Sequence, residues 1–306
     1  MTLRAADFVE AQKDTLRNVF DTAWDGMGEV YSKICKVEES SDAYEDDLQI
    51  QSPDEVAESV EGGMYNRVEV ENIRTKRYTH SVYKAELKIT KEAIEDLKVR
   101  EIINAVKHLG RAAKRTVERK VAAALYNGFT SEQSPDGVAV FSTHTLDNPL
   151  SGRPTTFSNK GTARLAPSAL KTRRTNGYKT LDEHGSLSPR DLRHLVVPSA
   201  LAFDAEQIVN FPNENEPGSA NFGKNVGARG MKLTVNHWLS EAASNADTQW
   251  YLFDPDEHQF MFFWRVKPQQ ELIAEEATGD ALYRIRMRFS LGFSDYRGAD
   301  GNTGAA

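Results

Sequence analysis

Residues 99–125 read VREIINAVKHLGRAAKRTVERKVAAAL, and the fold turns on this stretch. Val99, Ile102, Ile103, Val106, Leu109, Ala113, Val117, Val121 and Leu125 recur every three to four residues. That spacing lines up apolar side chains on one face of an α-helix. At 1.5 Å per residue the helix is roughly 40 Å long, well beyond the usual globular helix of about twelve residues, so it needs a broad surface to lie across. Gly110 costs about 1 kcal/mol relative to alanine, which implies close packing or a bend there. Asn127-Gly128 ends the helix. The opposite face is basic: eight Lys and Arg lie between Lys98 and Lys120, among them Arg111, Lys114, Arg115 and Arg119, against Glu101 and Glu118. With no catalytic motif beside it, the helix reads as the spine of an assembly subunit rather than the wall of an active site.

Upstream, Tyr83, Ala85, Leu87 and Ile89 alternate with Lys84, Glu86 and Lys88, the period of a strand. An earlier strand is expected through Val68, Val70 and Ile73. The two are expected to pair as a long hairpin over 68–89 with a polar tip near Thr75 to Thr79. An isolated hairpin is marginally stable in water, so this one leans on another subunit or another part of the chain, and Arg67, Lys76, Arg77 and Lys84 become candidate contact residues. Thr90 caps a following helix without a full capping box, since Ala93 stands where a Glu would complete it. Residues 38–66 hold ten acids and no Lys or Arg. With Pro53 and Gly62-Gly63 they read as an extended or poorly ordered arm, whose candidate contact residues are Glu45, Asp46 and Asp47. Segregated acidic and basic segments are natural partners, within one chain or between copies. Residues 4–34, with an apolar stripe from Phe8 through Leu16, Phe20 and Trp24 to Ile34, read as an N-terminal helix that must bury one face.

Downstream, residues 130–166 read as a long connection with one short strand at Val138 to Phe141. A mixed α/β region follows: helices over Pro167 to Asn176 and Pro198 to Val209, and strands at Leu195 to Val197, Met231 to Leu239 and Gln249 to Phe253. The loop from Pro212 to Gly230 is expected to be exposed and mobile. The strongest strand signal is Tyr283, Ile285, Met287, Phe289, Leu291 and Phe293 alternating with Arg284, Arg286, Arg288, Ser290, Gly292 and Ser294. It is expected to pair with Phe260 to Val266 or with Gln269 to Ala274, its arginines meeting Glu271, Glu275 and Glu276. The tail after Arg297 reads as flexible.

The 306 residues, 39% hydrophobic and 27% charged, allow two lobes with a full core. The net charge of −7 argues against a dedicated nucleic-acid binder. The longest apolar run, Phe260 to Trp264, falls far short of a membrane span. The early acids Asp7 and Glu10 do not fit a secretory signal, so synthesis in the cytoplasm is expected. The one cysteine, Cys35, reads as a buried thiol, and no Cys/His cluster offers a structural zinc site. Gly-x-Ser-x-Gly and Walker motifs are absent. The run from Gly223 to Gly230 only superficially suggests a phosphate loop. Asp182, Glu183 and His184 are consecutive and so poorly placed to converge on one ion. His144, Asp147 and Ser142 could be drawn as a triad, but triads are defined by geometry. No enzyme activity and no cofactor are expected.

The order of elements resembles the major capsid proteins of tailed bacteriophages with the Hong Kong 97 fold, and within them the head subunits of Mu-like phages. The likeness rests on Leu87-Lys-Ile-Thr-Lys-Glu-Ala-Ile94, on Leu109-Gly-Arg-Ala-Ala113, and on Asp136-Gly-Val-Ala-Val-Phe-Ser142 with Leu146, Asp147 and Asn148. It continues through Leu195-Val-Val-Pro-Ser-Ala-Leu201 and the run from Arg288 to Arg297. The resemblance implies an α+β capsid fold. An N-terminal helix and acidic arm would take 1–60, an extended-loop hairpin 61–90, a peripheral domain with the spine 91–166, an axial domain 167–266, peripheral return strands 267–297 and a flexible tail 298–306. It implies self-assembly into pentamers and hexamers of an icosahedral shell around double-stranded DNA, held non-specifically. Its other partners would be a separate scaffolding protein, a portal and decoration or head-completion proteins, with no membrane involved. Some members crosslink a loop Lys to a neighbour's Asn; Lys76 and Lys84 are suitably placed, but no partner Asn is evident and no crosslink is expected. Two alternatives stand beside this reading: an encapsulin-type nanocompartment shell, and a nucleic-acid-binding protein that uses the basic spine.

Overall fold

The computed structural model describes residues 5–50, 58, 61–62, 64–65, 72–96, 98–147, 149–210, 226–242, 246–275 and 277–305. From the N-terminus come α1 (Ala5–Asp25), α2 (Tyr31–Ile34), β1 (Lys36–Glu39), β2 (Tyr44–Ile50), β3 (Asn72–Thr79), β4 (Ser81–Ile89), α3 (Lys91–Glu95) and α4 (Val99–Asn127), the spine. Then follow β5 (Thr143–Thr145), β6 (Thr156–Ser158), β7 (Lys160–Gly161), α5 (Pro167–Tyr178), β8 (His194–Val197), α6 (Ala202–Asn210), β9 (Lys232–Val235) and α7 (Leu239–Ala242). The chain closes with β10 (Trp250–Phe253), β11 (Phe260–Glu275), β12 (Asp280–Phe293) and β13 (Ala299–Asn302).

The spine forms over its expected length and buries Ile102, Val106, Ala113, Val117, Val121 and Leu125. Gly110 marks close packing: a Cβ there would stand 3.0 Å from the Phe20 carbonyl oxygen and 3.3 Å from the Ala23 Cβ, so α1 crosses the spine at this glycine. The expected N-terminal helix is broken after Asp25 and resumes as the short α2. Gly128 ends the spine without a left-handed turn (φ −57°). It is glycine because the Phe141 ring lies 2.7 Å from where its Cβ would be.

Two sheets flank the spine. One has the order β1-β11-β12-β4. Its face carrying Phe260, Phe262, Trp264, Tyr283, Ile285, Met287 and Phe289 buries against α1 and α4. The two expected partners of β12 are one strand, β11, kinked by register shifts around Val266; Pro268, which has no N–H to donate, sits at this irregularity. The other sheet has the order β7-β13-β10-β8-β9. Leu195, Val197, Trp250 and Leu252 face a second core with Leu170, Ala205 and Ile208, while Val196, Tyr251 and Phe253 join the main core.

Four expectations fail. β3 and β4 do not form a hairpin: one residue, His80, separates them, too few to reverse the chain. β3 pairs with β2, and β4 with β12. The acidic arm therefore supplies strands β1 and β2, and Thr75 to Thr79 lie within β3 rather than at a tip. No strand forms at Val138 to Phe141, where Ala139 makes a single bridge to Gln133 and Val140 and Phe141 are buried. The tail is not loose: β13 is fully buried between β7 and β10. A domain boundary at residue 266 would cut β11. The parts of the expected hairpin at 68–71 and of the expected mobile loop at 212–225 lie outside the described residues.

Burial makes the five-stranded sheet sensitive to acid. His194 bonds the Thr234 hydroxyl at 2.9 Å, and His258 Nδ1 accepts from the Phe260 N–H at 3.3 Å. Burial, with Lys232 second, holds His194 down to about 4; burial, with Lys36 second, holds His258 down to about 4. Burial pushes Asp300 up to about 6 despite its Arg173 partner. Between pH 6.5 and 4 the unfolded chain binds two histidine protons that the native state refuses, and the native state binds one at Asp300. From these three groups the net difference is about one proton, a contribution of roughly 1.4 kcal/mol lost per pH unit as pH falls. Urea midpoints measured from pH 6.5 to 4.5 should fall steadily on this slope.

Candidate assembly interface

The hairpin of β2 and β3 runs antiparallel from Tyr44↔Thr79 to Ile50↔Asn72. Strand alternation sends Tyr44, Asp46, Leu48 and Ile50, with Thr75, Arg77 and Thr79, to the outside; Glu45, Asp47, Gln49, Arg74, Lys76 and Tyr78 turn towards the body. The inner row is anchored. Tyr78 shares a buried 2.5 Å hydrogen bond with the Ser294 hydroxyl, and its ring lies 5.0 Å from Phe263. Lys76 donates to the Gln133 carbonyl at 2.6 Å with Glu132 3.9 Å away, and Arg74 binds Asp147 at 2.5 Å. On the outer row Arg77 forks onto Asp46 through two 2.7 Å bonds and covers the Tyr44 ring at 4.1 Å. The bonds from Arg77 hold the Asp46 carboxyl below its ordinary range. An exposed pair of this kind sets register more than it stabilises. Leu48 and Ile50 remain exposed, and Met64 and Tyr65 are 93% and 98% exposed.

His80 pins the root of the hairpin. Its two ring nitrogens lie 3.0 Å from Ser40, which precedes β2, and 3.0 Å from Ser290 on β12. Burial and then the Arg288 charge lower its pKa, so the ring is neutral there.

The basic face of the spine is not uniformly solvated. Lys114, 2% exposed, binds Glu29 at 2.5 Å and lies over the Trp24 and Tyr31 rings. One turn on, fully buried Glu118 accepts from the backbone N–H groups of Val30 and Tyr31 at 2.9 and 3.0 Å, which closes the N-terminus of α2. Burial pushes the Glu118 carboxyl up, against these bonds and Lys114. At Glu29 burial also raises, but the hydrogen bonds and charge of Lys114 win and the pKa is lowered. Arg119 donates to Glu241 of α7 at 2.5 Å.

The candidate contact residues therefore fall into two groups. Asp46 and Arg77 meet on the hairpin, and Asp47 stands opposite Lys76. Glu45 faces the body near His80. Lys114 and Arg119 are tied within the subunit, whereas Arg111 and Arg115 on the spine and Lys84 on β4 are exposed. Arg67 lies outside the described residues. Among the described residues the acidic segment thus meets the bases of β3 rather than those of the spine. Arg284 binds Glu86 at 2.5 Å, and of the acids expected for it Glu271 stands directly opposite on β11 and, with Glu275, adds its charge. No triad forms: His144 binds Asp136 at 2.5 Å and stacks on Tyr296, while Asp147 holds Arg74. Asp182 folds back on the N–H groups of His184 and Ser186, Glu183 binds Arg297, and no group of three metal-ligating side chains forms among the described residues. Cys35 is buried, and its thiol is pushed well up by burial. Glu118 and His80 carry structure that the sequence reading missed. Glu118 was detectable as an acid one turn from Lys114, beside the apolar stripe.

A family model for phage capsid proteins matches residues 73–299. The chain belongs to the phage capsid protein family, and its function is that of a major capsid protein of the Hong Kong 97-type fold. Among solved structures it is similar to the procapsid subunit of bacteriophage JBD30 (16% identity, 96% of this chain and 74% of that one, TM-score 0.51). It is also similar to the capsid of cyanophage P-SCSP1u (12% identity, 90% and 88%, TM-score 0.55). A third likeness is to the SrpI encapsulin of Synechococcus elongatus PCC 7942 (11% identity, 89% and 85%, TM-score 0.52). Comparison with curated protein sequences gives no match.

Glu118→Ala removes the acceptor of two N–H groups and a buried carboxylate whose charge interacts with that of Lys114. Breaking a buried charged network from one side costs about 3 kcal/mol or more, so the urea midpoint of Glu118→Ala should fall sharply. Arg115→Ala, at an exposed site, should change it by less than about 0.5 kcal/mol.

Proposed function

We propose that the subunit assembles into pentamers and hexamers of an icosahedral shell around double-stranded DNA, with the arm, the β2–β3 hairpin and the spine making the contacts between subunits. The observation behind this is the hairpin itself. A two-stranded ribbon with Tyr44, Leu48 and Ile50 facing water, and with Met64 and Tyr65 exposed in the segment between its strands, is a poor end state for one chain. Covering each large apolar side chain with a neighbour contributes about 1.5–3 kcal/mol. In this reading the hairpin is the extended loop and the spine with the four-stranded sheet is the peripheral domain. The five-stranded sheet with α5 to α7 is the axial domain around the capsomer axes. Arg111, Arg115 and Lys84 are contact residues, as is Arg67. Assembly takes place in the host cytoplasm with a separate scaffolding protein, and portal and decoration or head-completion proteins complete the particle.

Concentrated protein, with and without scaffold, should give capsomers, tubes or closed shells by light scattering and negative-stain microscopy. A monodisperse monomer or dimer under every condition overturns the reading. Shells from cells infected by the phage should contain nuclease-protected DNA; shells filled instead with a single host enzyme would mark a nanocompartment.

A further inference from the structure

β4 is the end strand of its sheet. β12 pairs along one side of it from Ser81 to Ile89, and among the described residues no strand pairs with the other side. That leaves a nine-residue edge, about 30 Å long, on which Val82, Lys84, Ala85, Glu86 and Lys88 are exposed. An edge of this length is a template for another chain.

The edge is self-complementary about Ala85. In an antiparallel pair of two copies centred there, Lys84 faces the partner's Glu86 and Tyr83 faces the partner's Leu87, and symmetry repeats both contacts. A two-fold interface has this property by construction: where residue i meets j, j meets i. The neighbouring centres lack it. Centring on Lys84 sets that lysine against itself. Centring on Glu86 sets that acid against itself and Lys84 against the partner's Lys88. Like charges directly opposite are destabilising, and a centre on Leu87, which also sets opposite charges together, pairs only Ala85 to Ile89; Ala85 is the midpoint of the strand, so its register alone pairs all nine residues. The alternation also works against pairing centred on Lys84 or Glu86, where like charges meet.

We propose that two copies join β4 to β4, antiparallel, across a two-fold axis through Ala85, and that this contact links neighbouring capsomers. The inference rests on the shell reading, because adjoining capsomers of a closed shell are related by local two-fold axes. The two four-stranded sheets then run on as one, and both open edges disappear. Glu86 keeps its bond to Arg284 within the subunit, and Lys88 keeps Asp280.

Two variants test the pairing. In Ala85→Cys the two thiols face each other across the axis, where directly opposed Cα atoms are about 4.5–5.5 Å apart, inside the disulfide range. Native Cys35 is buried and does not compete. Oxidised Ala85→Cys shells should run as covalent dimers on a non-reducing gel. Lys84→Glu puts acids opposite acids and should cut the yield of closed shells about tenfold, the effect of about 1.4 kcal/mol, with capsomers still forming. Lys84→Glu combined with Glu86→Lys restores opposite charges and should restore closure. Ala85→Cys shells without dimers, or Lys84→Glu shells closing at wild-type yield, overturn the pairing and leave the capsid reading intact. A wild-type protein that forms no shell overturns the shell reading and the pairing with it.

Discussion

The seam between the spine, α1 and the four-stranded sheet positions every other segment. Phe20 and Trp24 from α1 reach between the spine and the sheet, where Phe20 meets Tyr283 and Trp24 meets Trp264; Phe262 stacks on Phe289, and Trp264 meets both edge-on. Each such side chain contributes about 1.5–3 kcal/mol when fully buried, whereas an exposed ion pair contributes about 0–1. The seam therefore holds the subunit together, and the ion pairs of the hairpin choose among registers that the seam permits. The buried charges Lys114 and Glu118 belong to the seam rather than to the surface. They are tolerated because Glu29, two aromatic faces and two backbone N–H groups surround them, and their demand for partners fixes where α2 begins.

The parts of this fold with a strong period were legible before the structure. The spine, β12, β8 and β10 stand where their apolar spacing put them, since each buries one or both faces in a core that leaves no other choice. The hairpin was misread because its two strands lie some twenty residues apart and the acidic one carries little apolar signal. What selects β2 as the partner of β3 is charge register, Asp46 against Arg77 and Asp47 beside Lys76, and charge register is invisible to a search for hydrophobic period. The basic spine drew attention as the natural mate of the acidic segment, yet the strongest bases of the spine were already committed to Glu29 and Glu241.

Glycine misled in a second way. Ala299, Asp300, Gly301 and Asn302 look like a flexible tail by composition. Their small size is a packing requirement: the Phe141 ring lies 2.5 Å from where a Gly301 Cβ would be, and the same ring closes on Gly128 from the other side. Asp300 is held by Arg173 and by Asn302. A strand that must pass beneath an aromatic ring while pairing on both sides has no room for larger residues, so burial here produces the composition usually associated with disorder. The same ring explains why Val138 to Phe141 is not a strand. Phe141 is spent as the plug between the end of the spine and the last strand, and the backbone around it follows the plug.

A subunit built this way is complete in its core and incomplete at its margins. The core of the five-stranded sheet and the seam bury their apolar side chains without help, yet the hairpin leaves Tyr44, Leu48 and Ile50 in water and, among the described residues, β4 leaves a strand edge unpaired. The two margins differ in kind. The apolar part of the hairpin row, Tyr44, Leu48 and Ile50, is non-directional, which in the proposed shell would suit contacts that must tolerate the different curvatures of pentamers and hexamers. The β4 edge is directional, since backbone hydrogen bonds along all nine residues, with Lys84 opposite Glu86, favour the register centred on Ala85. In the proposed shell both properties would be used, adaptable contacts within capsomers and defined contacts between them, on adjacent segments joined by His80, whose ring bonds to Ser40 and Ser290 hold the hairpin relative to the edge.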